Sequence, residues 1–71
     1  MMDTKDKVIQ ELKDRTNLIY DEKKRTIISS IINHADWYKV VTLDTFISIL
    51  SDLNYNVDEA KNIYVLLNTY S

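Results

Sequence analysis

Apolar positions along this chain recur at helical spacing. Leu43, Phe46, Ile47, Leu50 and Leu53 fall at i, i+3, i+4, i+7 and i+10, which places them on one face of a 3.6-residue helix. Thr42 stands just ahead of them as an N-cap residue. Upstream, Ile27, Ile28, Ile31, Ile32 and Ala35 follow i, i+1, i+4, i+5 and i+8, a single broad face behind an Asp21 cap. Downstream, Val57, Ala60, Ile63, Tyr64, Leu67 and Tyr70 form a third stripe. Asn56 with Glu59 three residues later makes a capping arrangement there, and Tyr55 and Ala60 are spaced as a hydrophobic staple. The first segment, Asp3 to Arg15, carries only Val8, Ile9 and Leu12 amid charges. Its acid-before-base pairs, Asp3 with Lys7 and Glu11 with Arg15, each add about 0.3 kcal/mol on an exposed surface. So weak a helix must lay its stripe on a neighbour.

The segments between the stripes are polar or irregular. Thr16-Asn17 reads as an interruption, because both side chains compete for backbone groups. Leu18, Ile19 and Tyr20 then form either a connector or the opening of the next helix, and the first two helices merge if the interruption fails. Lys39-Val40-Val41 favours β geometry without turn signals, so an extended connector is expected there. Asn54-Tyr55-Asn56 is a turn. The pattern predicts an all-α fold, a compact bundle of three to four short amphipathic helices over roughly 3–15, 21–36, 43–53 and 57–70. No internal repeat, low-complexity stretch or flexible linker is read, so residues 1–71 form one expected domain.

Composition supports this class and removes others. Of 71 residues 45% are hydrophobic and 28% charged, which is a globular balance. Glycine and proline are both absent, and so are the Asn-Gly and Asp-Gly pairs that tight β-hairpins favour. Without glycine, phosphate-cradling loops and dinucleotide fingerprints are excluded, since the backbone must approach the anion in conformations that a Cβ forbids. An EF-hand loop is disfavoured for the same reason. Cysteine is absent, which removes disulfides and thiolate metal sites. The opening residues show no secretory pattern, and no apolar run approaches the roughly 20 residues of a membrane span. A cytoplasmic location without membrane attachment is the resulting expectation.

Candidate chemistry is sparse. His34 is the single histidine, and Ser30 at i−4 is the hydroxyl best placed to face it. A position near a helix C-terminus, where an imidazolium suits the dipole, accounts for His34 without catalysis. Asp21-Glu22 and Asp58-Glu59 sit at helix starts, where the dipole favours acids. No catalytic residue, cofactor or metal ligand is assigned, and the chain is expected not to be an enzyme.

The remaining features point to binding. Trp37, Tyr38, Val40 and Val41 are the candidate partner-binding residues, because Trp and Tyr bury large areas at small entropic cost and dominate interface hot spots. Core capping by Trp37 is the competing reading. Lys23-Lys24-Arg25 is the one basic run, but Asp21 and Glu22 abut it and the net charge is −2. Residues 1–25 hold seven basic and six acidic groups, and residues 26–71 hold two and five, a mild polarity that falls short of a nucleic-acid footprint. Acids in the second half give a surface that either engages a basic groove or only keeps the chain dissolved.

The Thr42–Tyr70 segment invites comparison with helix-turn-helix units, although Asp58, Glu59 and Lys61 make a poor recognition set. Leu53-Asn54-Tyr55-Asn56-Val57-Asp58-Glu59-Ala60 is similar to a short stretch of ubiquitin-associated-type modules. That likeness covers only these residues, has Asn54 where the family has glycine, and is not adopted. Residue usage rich in Ile, Asn, Lys and Tyr, with Ala35 and Ala60 the only alanines, suggests an AT-rich genome such as those of low-GC bacteria, their phages and mobile elements. The expected function is a small helical protein–protein interaction module that binds and modulates a larger protein, inhibition being one mode. A homo-oligomer is a further expectation. The alternative is a dimeric DNA-binding regulator using Lys23, Lys24 and Arg25 or the helix-turn-helix-like pair.

Overall fold

A computed structural model describes residues 3–69 of the chain. Among these residues 78% are helical and none is in a strand, so the all-α reading holds. The helices are α1 (Thr4–Asn17), α2 (Glu22–Ile32), α3 (Trp37–Val40), α4 (Leu43–Asp52) and α5 (Val57–Thr69). Five helices replace the expected three to four because α3 coils where an extended connector was expected. Trp37 and Tyr38 are both buried, and burial of two consecutive aromatic rings outweighs the weak β preference of the valines that follow.

The chain divides into two compact units, one ending at Trp37 and one beginning at Tyr38. In the first unit α1 packs on α2. Asp3 stands outside α1 as its cap, its carboxylate accepting the Asp6 N–H at 2.8 Å. The Glu11–Arg15 pair forms at 3.2 Å, as its spacing suggests. Thr16-Asn17 does not interrupt the helix. Thr16 is buried, and its hydroxyl donates to the Leu12 carbonyl at 2.7 Å, so the competing side chain is satisfied inside the helix. The break falls instead at Leu18–Asp21, and α1 and α2 are separate helices.

Asp21 caps α2 as expected, its carboxylate accepting the Lys24 N–H at 3.1 Å. The far boundary differs. α2 ends at Ile32 rather than near residue 36, and Asp36 takes a left-handed backbone with φ 58°. Ala35 therefore lies beyond the helix and is exposed, and Ile27 is exposed as well. The broad face contracts to buried Ile28 and Ile32 with half-buried Ile31.

In the second unit α4 packs on α5. Thr42 caps α4 through the Thr45 N–H at 3.2 Å. Phe46, Leu50 and Leu53 are buried as their spacing requires, while Leu43 is partly exposed. Ile49 is buried too, one turn on from Phe46, and widens the apolar face beyond the simple stripe. Phe46 meets Tyr64 edge-on, with ring centroids 5.2 Å apart and planes inclined by 71°. Ala60 and Leu67 complete the buried side of α5, and Tyr70 lies outside the described residues.

The α4–α5 turn solves a reversal without glycine. Asn54 adopts φ 69°, a conformation asparagine tolerates better than most residues. The Tyr55 N–H reaches back to the Leu50 carbonyl at 3.0 Å and the Asn54 N–H to that of Ser51 at 3.0 Å, the two bonds of a Schellman closure. The capping box follows at once: the Asn56 side chain accepts the Glu59 N–H at 2.8 Å, and the Glu59 carboxylate accepts the Asn56 N–H at 3.1 Å. Asn56→Ala is expected to cost about 1 kcal/mol, a fall of about 4–8 °C in thermal midpoint for a chain of this size. Circular dichroism melts read this directly, and an unchanged midpoint would show that the box does not hold the helix start.

Candidate interaction surface

The four candidate partner-binding residues do not share one exposure. Trp37 and Tyr38 are each only 3% exposed, and Val41 is half-buried. Val40, at the end of α3, is 84% exposed. In the free chain the two rings therefore serve burial, and Val40 is the member of the set that faces water.

The basic run is also divided. Lys23 and Lys24 are exposed in the first turn of α2, whereas Arg25 is half-buried. Its guanidinium donates to the Ile19 carbonyl at 2.8 Å, bracing the connector between α1 and α2. This bond satisfies a carbonyl that neither helix pairs, so one of the three cations has a structural task.

That connector carries apolar surface that the spacing argument passed over. Leu18 is 81% exposed and Tyr20 is fully exposed at 101%. The sequence carries a short similarity between the two turns. Leu18-Ile19-Tyr20-Asp21 and Leu53-Asn54-Tyr55-Asn56 share the pattern Leu-x-Tyr-Asx. Both leucines are C-cap residues, and both Asx side chains cap the following helix. At the second turn Leu53 and Tyr55 are buried; at the first, Leu18 and Tyr20 stand in water.

The two turns differ at the residue between Leu and Tyr. The second position is Asn54 in one turn and Ile19 in the other, and a β-branched residue avoids the left-handed region. The two turns share their i→i−3 bonds, Leu18 to Arg15 and Ile19 to Thr16 at 3.1 Å in the first and Leu53 to Leu50 and Asn54 to Ser51 at 3.0 Å in the second, and differ in the further bond from the Tyr55 N–H to the Leu50 carbonyl. The closure that folds Tyr55 back toward Leu50 is thereby specific to the Asn54 turn.

Two concave features accompany these residues. One is a shallow, nearly flat depression at the start of α2, lined by Asp21, Glu22, Lys23, Thr26 and Ile27. A second, more polar crevice of about 210 Å³ lies between α1 and α2, with Gln10, Lys13, Thr16, Asn17, Ser29 and Asn33 among its lining residues. Several of its polar groups are already committed: the Thr16 hydroxyl to Leu12, and the Gln10 amide to the Asp14 carboxylate at 3.0 Å. His34 is exposed beyond the end of α2, and the Ser30 hydroxyl donates to the Ile27 carbonyl at 2.8 Å. Among the described residues no group of three or more acidic or histidine side chains is placed to hold a metal ion. No helix among them is long and apolar enough to cross a membrane.

Comparison with known proteins adds no relative: no protein-family profile, curated protein or solved structure matches the chain.

Proposed function

We propose that this chain is a helical interaction module that binds a larger protein and modulates it, with inhibition as one mode of action. The observation that carries the reading is the 84% exposure of Val40, an apolar residue two positions after buried Tyr38 on α3. An exposed valine on a helix offers apolar area with few rotamers to order on binding, which suits an interface contact. Val41, half-buried beside it, extends the same surface. Asp44, exposed in the first turn of α4, suits a partner whose site carries positive charge.

Site-specific photo-cross-linking in the native host tests this reading. A photoreactive residue at position 40 is expected to trap one dominant protein, and the same residue at exposed Ser48 on α4 is expected to trap none. The trapped protein, purified, should change activity or partner binding when the chain is added. Absence of any adduct at position 40 would refute the proposal, and so would an adduct shared equally with position 48. No specific observation favours the alternative of a DNA-binding regulator over this reading.

A further inference from the structure

We infer that the crevice between α1 and α2 is a binding site for a small ligand carrying a single carboxylate, with Lys13 as its ion partner. Helix faces that pack on a neighbour are ordinarily apolar, yet Lys13 and Ser29 are half-buried there and Thr16 is buried. Thr16 is satisfied within its own helix, at the Leu12 carbonyl. Lys13 is not: no carboxylate among the described residues pairs with it, whereas Lys5, the other half-buried lysine, is engaged. No acid lines the crevice, although the chain holds 11.

The hydroxyls of α2 supply a second, independent reason. The Thr26 hydroxyl donates to the Glu22 carbonyl at 2.9 Å and the Ser30 hydroxyl to the Ile27 carbonyl at 2.8 Å, the usual resting place of a helical hydroxyl. The Ser29 hydroxyl makes no such bond, and the side-chain amides of Asn17 and Asn33 are likewise uncommitted among the described residues. An ammonium, a hydroxyl and a pair of amides therefore line a space of about 210 Å³ with their donors unused. That space is more than about tenfold what one water needs, so a small organic molecule fits.

Chemistry selects the ligand. Convergent donors without a competing acid suit oxygen acceptors, and an ammonium bonds a charged acceptor more strongly than a neutral one. A single cation balances a single negative charge, and a dianion would leave one charge uncompensated in a half-buried space. A monocarboxylate meets both conditions, with oxygens enough for the Lys13 ammonium, the Ser29 hydroxyl and the amides. The end of α2 lies at the crevice, and free carbonyls there would oppose an anion. The Asn33 and His34 N–H groups already take the Ser29 and Ile31 carbonyls, at 3.0 and 3.2 Å. The site does not use Val40, so it and the binding of a larger protein through that residue fail independently.

Heteronuclear NMR titration of the full chain with sodium acetate, at constant ionic strength set with chloride, tests the inference. The expected result is saturable shifts at the backbone amides of Lys13, Ser29 and Asn33, with a dissociation constant on the order of a millimolar for so small a ligand. Lys13→Met is expected to weaken binding at least about tenfold and Ser29→Ala severalfold, whereas Lys23→Met, at an exposed lysine of α2, leaves it unchanged. Circular dichroism shows that each variant remains folded, and Ser29→Ala decides the matter should Lys13→Met unfold. A capped peptide with one glutamate distinguishes the sources of the carboxylate. Tighter binding than acetate assigns it to a protein side chain, and equal or weaker binding assigns it to a free acid. Shifts that grow without saturation, or that Lys13→Met and Ser29→Ala leave unchanged, would overturn the inference. So would tighter binding of inorganic phosphate as its dianion than of acetate.

Discussion

Phe46→Ala is expected to remove about 3–5 kcal/mol of stability, the usual cost of emptying a fully buried aromatic site. Phe46 is 0% exposed and sits edge-on against Tyr64 on α5. Its loss opens a cavity under α4 and withdraws the ring contact that joins the two helices. A chain of this length is expected to hold only about 4–10 kcal/mol in total, so the substitution takes a large share of it. Urea unfolding followed by far-ultraviolet circular dichroism should show a much lower midpoint. Phe46→Leu separates the contributions: it keeps most of the apolar volume and gives up the ring pair, with an expected cost of about 1 kcal/mol. If Phe46→Ala costs less than about 1 kcal/mol, the site collapses freely and α4 is not seated on α5 as described.

Trp37→Ala is expected to cost a similar amount, about 3–5 kcal/mol, while Val40→Ala three residues later should change stability by no more than about 0.5 kcal/mol. The contrast follows from exposure, 3% against 84%. It matters for function, because the two residues belong to the same candidate surface and only one of them is free to be a contact without unfolding. Trp37 is the sole tryptophan, so its fluorescence reports on the point directly. Emission from the native chain should be blue-shifted and poorly quenched by iodide, and both properties should be lost on unfolding. Ready quenching in the native chain would mean that the ring is accessible, and Trp37 would return as an interface anchor. A loss of partner binding in Trp37→Ala carries little information unless the variant is first shown to be folded. Val40→Asp is the cleaner probe of the surface.

Several features of this fold were legible along the chain. The caps at Asp21, Thr42 and Asn56 and the box with Glu59 are local bonds spanning three residues, so residue identity and spacing suffice to place them. The apolar periodicity that defines α4 and α5 is equally local. The absence of glycine and proline steered the chain away from hairpins and toward helices joined by short turns, and helices are what the described residues contain.

Three points needed the tertiary structure. Thr16-Asn17 has the composition of a helix break, but burial of Thr16 turns its hydroxyl onto the Leu12 carbonyl and the helix continues. Lys39-Val40-Val41 has the composition of an extended connector, yet with Trp37 and Tyr38 buried the helix α3 takes in Lys39 and Val40. The apolar residues of the two Leu-x-Tyr-Asx turns look equivalent on paper, and the left-handed backbone at Asn54, which Ile19 cannot easily copy, accompanies burial in one and exposure in the other. Periodicity located α1, α2, α4 and α5, though neither α3 nor the end of α2, because a helix is held by bonds between near neighbours. Which aromatic residues are core and which are surface was decided by packing, because burial depends on what the rest of the chain brings to each side chain.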